Sequence, residues 1–201
     1  MKAKYIVIER EYGSGGSCIA RLLSQKTGVP CYGREILEKV SLENDMPIEQ
    51  IEMYEENVSG SFLYSVFVMS KAATGDTDML MTEGHIYVAE QAVIRHFANH
   101  GAAIFLGHCA SEALKDYDGT LRVFIRCSDE EEKMKRITEE YGIEANKAES
   151  VKRKFDKKRA NYYYANTLKK WDDLRNYDLV LDSGVLGVDG CVEVLKSLLE
   201  N

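Results

Sequence analysis

The stretch Lys4-Tyr5-Ile6-Val7-Ile8-Glu9-Arg10-Glu11-Tyr12-Gly13-Ser14-Gly15-Gly16-Ser17 decides the fold. Lys4 to Glu9 has the β-branched, apolar character of a strand, and a glycine turn follows it. Ile19, Leu22 and Leu23 then recur at i, i+3 and i+4, which predicts a helix that Gly28 and Pro30 stop. A strand that runs through a glycine turn into a helix lets backbone N–H groups converge on an anion, and the helix dipole adds to their pull. Gly13, Ser14, Gly15, Gly16 and Ser17 are therefore expected to hold phosphate, with the Ser17 hydroxyl placed to reach a nucleotide-bound Mg²⁺. Without the strand and helix on either side, the same five residues would read as an ordinary flexible turn.

Set against the phosphate-loop pattern G-x-x-x-x-G-K-[ST], Arg10 stands at the first glycine, Gly15 matches, Gly16 replaces the lysine and Ser17 matches. The missing lysine would have placed a cation between the β- and γ-phosphates, so catalysis here needs a substitute. Arg10 is the first candidate, the alternative being a salt bridge to Glu9 or Glu11. Arg21, one turn beyond Ser17, is the second, with a solvated helix face as its alternative.

Outward from this stretch, strands are expected at Pro30–Tyr32, Ala102–Leu106, Leu121–Ile125 and Leu179–Leu181. Helical patterns separate them: one carrying Ile36, Leu37 and Val40, a mixed helical region through Met69, one over Glu83–Phe97, and a closing helix over Asp189–Leu199 that buries Cys191, Leu195 and Leu198. Thr74 to Thr77 reads as a loop. Five strands alternating with helices imply an α/β fold with a mostly parallel, doubly wound sheet and a site at the carboxyl ends of the strands.

The chain has 201 residues, 45% of them hydrophobic, and only 2 prolines, with no linker-like stretch and no repeat. One domain spanning 1–201 is expected, with a helical insertion at about 41–81 and a lid at about 150–172. The apolar run at Tyr5–Ile8 is too short for a signal-peptide core, and nothing is long enough to span a membrane. Five scattered cysteines without a CxxC pair fit reduced thiols, and the expected location is cytoplasmic. A net charge of −7 argues against general affinity for nucleic acid.

The charges are nonetheless uneven. Glu43, Asp45, Glu49, Glu52, Glu55 and Glu56 accumulate in a segment without cations, whereas Lys152, Arg153, Lys154, Lys157, Lys158 and Arg159 crowd together. A helix from Val151 to Tyr164 would carry cations on nearly every side and only a thin apolar line at Val151, Phe155 and Tyr162. It reads either as a solvated surface helix or, beside a phosphate loop, as a mobile lid that brings cations to a transferring phosphoryl group and excludes water.

The run Ile8-Glu9-Arg10-Glu11-Tyr12-Gly13-Ser14-Gly15-Gly16-Ser17 resembles the opening of the cytidylate kinase-like family, nucleoside monophosphate kinases whose loop also lacks the lysine. So do Phe105-Leu106-Gly107-His108-Cys109-Ala110, Lys157-Lys158-Arg159-Ala160-Asn161-Tyr162-Tyr163, and Lys169-Lys170-Trp171 with Asn176-Tyr177-Asp178-Leu179-Val180-Leu181-Asp182-Ser183, all in the family's order. The resemblance implies a three-layer P-loop kinase fold with a five-stranded sheet, a helical acceptor-site insertion and a basic helical lid. It also implies Mg²⁺ with ATP, and small-molecule nucleotides as partners. Gly13 to Ser17 would hold the donor phosphates, Arg10, Lys158 and Arg159 would serve transfer, and Arg153, Lys157, Tyr162, Lys169 and Lys170 would belong to the lid.

Two departures concern the acceptor. The family's Gly-Arg-Cys-Ala-Asp is Gly107-His108-Cys109-Ala110-Ser111 here, and its Tyr-Asp after the second strand is Tyr32-Gly33 followed by Arg34. His108 and Arg34 are thus the acceptor-site candidates, His108 either as a hydrogen-bond donor to phosphate or as a polar residue at a strand end. His96 and His100 lack a suitably spaced acid for a metal site. Asp182 reads as a turn cap. Met79, Met81 and the stripe Phe62, Val66, Met69 read as core or as the face of a possible homodimer. Trp171 and Tyr162–Tyr164 could stack on a base.

Three readings follow. The first is an ATP-dependent phosphotransferase acting on a nucleoside monophosphate, CMP by resemblance. The second is a degenerate kinase that binds nucleotide in a structural or regulatory role. The third, drawn from the acidic segment, is an interaction protein with a vestigial pocket.

Overall fold

A computed structural model describes residues 2–57 and 82–199. The elements are β1 (Tyr5–Arg10), α1 (Gly16–Thr27), β2 (Cys31–Tyr32), α2 (Arg34–Asn44), α3 (Ile48–Asn57), α4 (Thr82–Asn99), β3 (Ala103–Leu106), α5 (Ala110–Ala113), β4 (Thr120–Arg126), α6 (Glu130–Lys135), α7 (Ala145–Thr167), β5 (Leu179–Asp182) and α8 (Ser183–Leu198). Much of the expected insertion, with the Thr74–Thr77 loop and Phe62, Val66, Met69, Met79 and Met81, lies outside the described residues.

The five strands form one sheet in the order β2-β3-β1-β4-β5, and all four pairings are parallel. Burial on both faces explains why the strands read as unbroken apolar runs. Along β1, Ile6 and Ile8 join the core shared with Ile19 and Leu23 of α1 and Leu195 of α8, while Tyr5 and Val7 join the opposite core with Phe105, Trp171 and residues of α2, α4 and α7. Ile8 and Phe105 have no exposure at all. Burying such a side chain contributes roughly 1.5–3 kcal/mol.

Several ends follow from local chemistry. Gly28, at φ 74°, closes α1 by donating its N–H to the Ser24 carbonyl. Asp182 caps α8, as expected, accepting from Gly184 N at 3.0 Å, and it also accepts from Ser128 N at 2.8 Å. Gly187 (φ 66°, ψ 171°) kinks α8, so the regular winding expected from Asp189 onward is preceded by an irregular turn from Ser183. Among the described residues no helix is long and apolar enough to cross a membrane.

β1 lies at the centre, with β3 on one side and β4 on the other, so the chain leaves the ends of β1 and β3 in different directions. That divergence opens a crevice at the carboxyl edge, the place where open parallel sheets bind ligands.

Candidate active site

The loop between β1 and α1 is held from behind. Gly13 and Gly15 adopt φ of 78° and 77°, a left-handed conformation that suits glycine. A Cβ on Gly13 would stand 2.8 Å from Lys133 Cγ and from Ile137 Cδ1. Arg136 Nη1 donates to the Gly13 carbonyl at 2.5 Å, and Ser183 Oγ to the Ser14 carbonyl at 2.7 Å. Residues 13 to 16 are buried, Ser17 is exposed, and no side chain caps the N-terminus of α1. Ser14 Oγ accepts from Gly16 N at 3.4 Å, and the N–H groups that follow at this end of the helix suit an external anion.

Arg10 explains the missing lysine. A Cβ on Gly16 would stand 2.5 Å from Arg10 Cβ and 2.8 Å from its Cγ, while one on Gly107 would stand 2.6 Å from Arg10 Nη1. The arginine thus lies across the position where the standard loop carries lysine and extends to the end of β3. Glycine at 16 and 107 makes room for it. Arg21 instead sits on an exposed face of α1 beside Cys18.

Helix α7 seats directly on this segment. Asp156 Oδ1 accepts from Tyr12 N at 2.7 Å, Arg159 Nη1 donates to the Arg10 carbonyl at 3.0 Å, and the Phe155 and Tyr12 rings stack with centroids 4.7 Å apart. Removing the acceptor should loosen this clamp. Asp156→Ala leaves the part-buried Tyr12 amide without its partner, a loss of about 1–3 kcal/mol. The expected result is a lower thermal midpoint together with faster protease cleavage within α7; unchanged values of both would mean that the clamp does not hold the helix.

Between the ends of β1 and β3 and the helices α2, α3 and α7 lies a cavity of about 450 Å³. Arg10, Arg34, His108, Lys158, Arg159, Tyr162 and Tyr163 line it, as do Glu9, Glu52 and Phe155. Four cations thus face two carboxylates, and Arg34 is already paired with Glu52 at 2.7 Å. Burial, with the neighbouring Arg10 adding to it, pulls the Arg159 guanidinium down to about 10. Glu9 is 5% exposed, and burial raises its carboxyl pKa against the opposing pull of Arg10 and of the Trp171 Nε1–H, which donates to Oε2 at 3.2 Å. Gly107, His108 and Cys109 are three successive residues at positive φ (81°, 55° and 50°). Gln91 Nε2 steadies this unfavourable turn by donating to the His108 carbonyl at 3.1 Å.

The remaining lid candidates lie elsewhere. Arg153 is 78% exposed and pairs with Glu149, Lys157 is exposed and does not line the cavity, Lys169 pairs with Glu112, and Lys170 is exposed. Trp171 is buried edge-to-face on Phe124, so it forms core and presents no stacking surface. Across the loop from the first cavity, Arg136, Glu132, Glu140, Ser183, Gly187 and Val188 help line a second of about 410 Å³.

The sequence profile of the cytidylate kinase-like family matches residues 5–185. This chain belongs to that family. A solved structure of an uncharacterized protein from Eubacterium ventriosum is similar to this cytidylate kinase-like chain over 96% of both, with 26% identity and a TM-score of 0.70. Shikimate kinase from Bacteroides thetaiotaomicron shares its fold, covering 96% of this chain and 97% of its own at 12% identity and a TM-score of 0.51. The cytidylate kinase-like fold here is thus that of the P-loop kinases. No curated protein matches this sequence.

Proposed function

We propose that this chain is a cytoplasmic, ATP- and Mg²⁺-dependent phosphotransferase whose acceptor is a nucleoside monophosphate, with CMP the first to test. The observation that carries the reading is the position of Arg10, which joins the uncapped start of α1 to a cation-rich cavity large enough for a small anionic acceptor. In this reading Gly13 to Ser17 receive the donor phosphates, and the second cavity, beside Arg136 and Ser183, receives the donor nucleoside. Arg10 and Arg159 stabilise charge on the transferring group, while Lys158, Arg34 and His108 face the acceptor.

The donor set fits Mg²⁺ carried in by the nucleotide. The exposed Ser17 hydroxyl supplies one neutral oxygen beside the loop, and Mg²⁺ takes its other ligands readily from phosphate oxygens and water. When bound with the nucleotide, the ion would be held on the protein side by Ser17 and would supply positive charge to the donor phosphates. The protein's share is to orient the triphosphate, exclude water beneath α7 and hold Arg10 in place.

Release of ADP is to be measured with Mg-ATP and each common nucleoside monophosphate, alongside thermal stability. The expected result is acceptor-dependent ADP release, largest with CMP. Stabilisation by nucleotide without release to any acceptor would overturn the enzyme reading in favour of a degenerate, nucleotide-binding kinase.

A further inference from the structure

Glu9 has no part in the scheme above, yet it is a buried carboxylate in the lining of the acceptor cavity. It follows Tyr5 and Val7 on one face of β1, where a buried strand would be expected to continue with an apolar side chain, and it is 5% exposed while Arg34 at the opposite rim is 63% exposed. The groups that face it are Arg10 from β1, His108 from the turn after β3, Arg159 and Tyr163 from α7, and Trp171 and Tyr177 from the segment after α7. Trp171 fixes the orientation of the carboxylate through Oε2.

A carboxylate beside Arg10 is ill-suited to an acceptor that attacks through a phosphate oxygen, because two anions would then meet at the point of transfer. It suits one that attacks through a hydroxyl, whose proton must leave as the new bond forms. We propose that Glu9 is the general base of the transfer and that the acceptor is an anionic alcohol, phosphorylated on a hydroxyl while its anionic group lies toward Lys158 and Arg34. The proposal rests on the phosphotransferase reading and specifies which atom of the acceptor attacks. A nucleoside monophosphate that enters sugar first meets this description, and so does a carboxylate-bearing alcohol.

In the step, the acceptor O–H gives its proton to the Glu9 carboxylate and its oxygen forms a bond to the γ-phosphorus of ATP. The bond from that phosphorus to the β,γ-bridging oxygen breaks, and its electron pair leaves on ADP. Glu9 then returns the proton to water. The raised pKa of Glu9 makes it a stronger base than an exposed carboxylate, and turnover should rise with pH as it deprotonates.

The full-length protein is to be incubated with Mg-ATP and, in separate arms, CMP, AMP and glycerate, and the products read by ³¹P NMR. Beside one equivalent of ADP per ATP consumed, the expected product is a new phosphomonoester whose phosphorus is not coupled to another, and the arm that yields it identifies the source of the anionic alcohol. Glu9→Gln keeps the shape of the side chain and an acceptor for Trp171; it should lower kcat by about 10²-fold, abolish the rising limb of the pH profile and retain ATP-induced stabilisation. Glu9→Asp should keep that limb at a reduced rate. Two equivalents of nucleoside diphosphate per ATP consumed, one the ADP released and one made from the acceptor, or undiminished turnover in Glu9→Gln, would overturn the assignment while leaving the phosphotransferase reading intact. Absence of transfer to any acceptor by the unmodified protein would overturn both.

Discussion

Arg10→Ala is expected to lower turnover about 10³-fold, the scale on which a cation at the transferring phosphoryl group acts. Its effect on folding should be small, within about 1 kcal/mol, because the side chain is only half-buried and forms no part of either apolar core. The reason for so large a kinetic effect is positional. Arg10 lies over Gly16, where phosphate loops ordinarily carry lysine, and its guanidinium ends beside Gly107 in the lining of the larger cavity. The variant should also relieve the electrostatic pressure on Arg159, whose guanidinium Arg10 helps to pull down to about 10. Acceptor-dependent ADP release and thermal unfolding, measured on the same preparation, test this directly. Turnover unchanged from that of the unmodified protein would remove Arg10 from the mechanism.

The strand, loop and helix from Tyr5 to Thr27 were legible in the sequence because both signals are local. A strand buried on both faces must be apolar throughout, and a left-handed turn selects glycine. The lid run was legible only in part. At about 100° per residue, Phe155, Lys158, Arg159, Tyr162 and Tyr163 fall on one face of a helix, and these are the residues of the run that line the cavity, whereas Arg153 and Lys157 do not. Charge density alone marked the run without dividing it. Helix α7 begins at Ala145, well before Val151; its first turns bury only Ala148 and are otherwise exposed, so they leave no apolar period to read.

Other site residues depended on tertiary context. Asp156, a single acid among cations, reads from its own helix as an i,i+3 partner of Arg159; its other partner, the Tyr12 amide, is 144 residues away in sequence. Glu9 could have been noticed as a charge at an inward position of β1. Nothing local marks Arg136, which reaches the Gly13 carbonyl from a π-helical turn over Arg136–Glu140. Trp171 shows the converse error: an aromatic residue near a nucleotide site suggests stacking, but the sequence does not say which side of the sheet it fills.

Gly16→Lys gives the loop the lysine of the standard pattern and is nevertheless expected to abolish measurable turnover. If the lysine were simply missing, restoring it would improve catalysis or leave it unchanged. In this fold the first atom of the new side chain would meet Arg10 Cβ at 2.5 Å and Cγ at 2.8 Å, distances that real Cβ atoms do not tolerate. Neither atom is the free end of a flexible chain, so Arg10 must leave its path to Gly107 or the loop must move. Overpacking of this kind costs about 1–3 kcal/mol of stability, and the displaced guanidinium adds the loss expected for Arg10→Ala. Arg10→Gly combined with Gly16→Lys removes the clashing side chain and supplies the ordinary cation, so it should recover part of the activity that each change alone destroys. The two sites share one space, and their effects should therefore be strongly non-additive. Rates of ADP release for the two single variants and the double variant decide the matter. Turnover in Gly16→Lys equal to that of the unmodified protein would show that position 16 has room for lysine, and that Arg10 does not stand in its place.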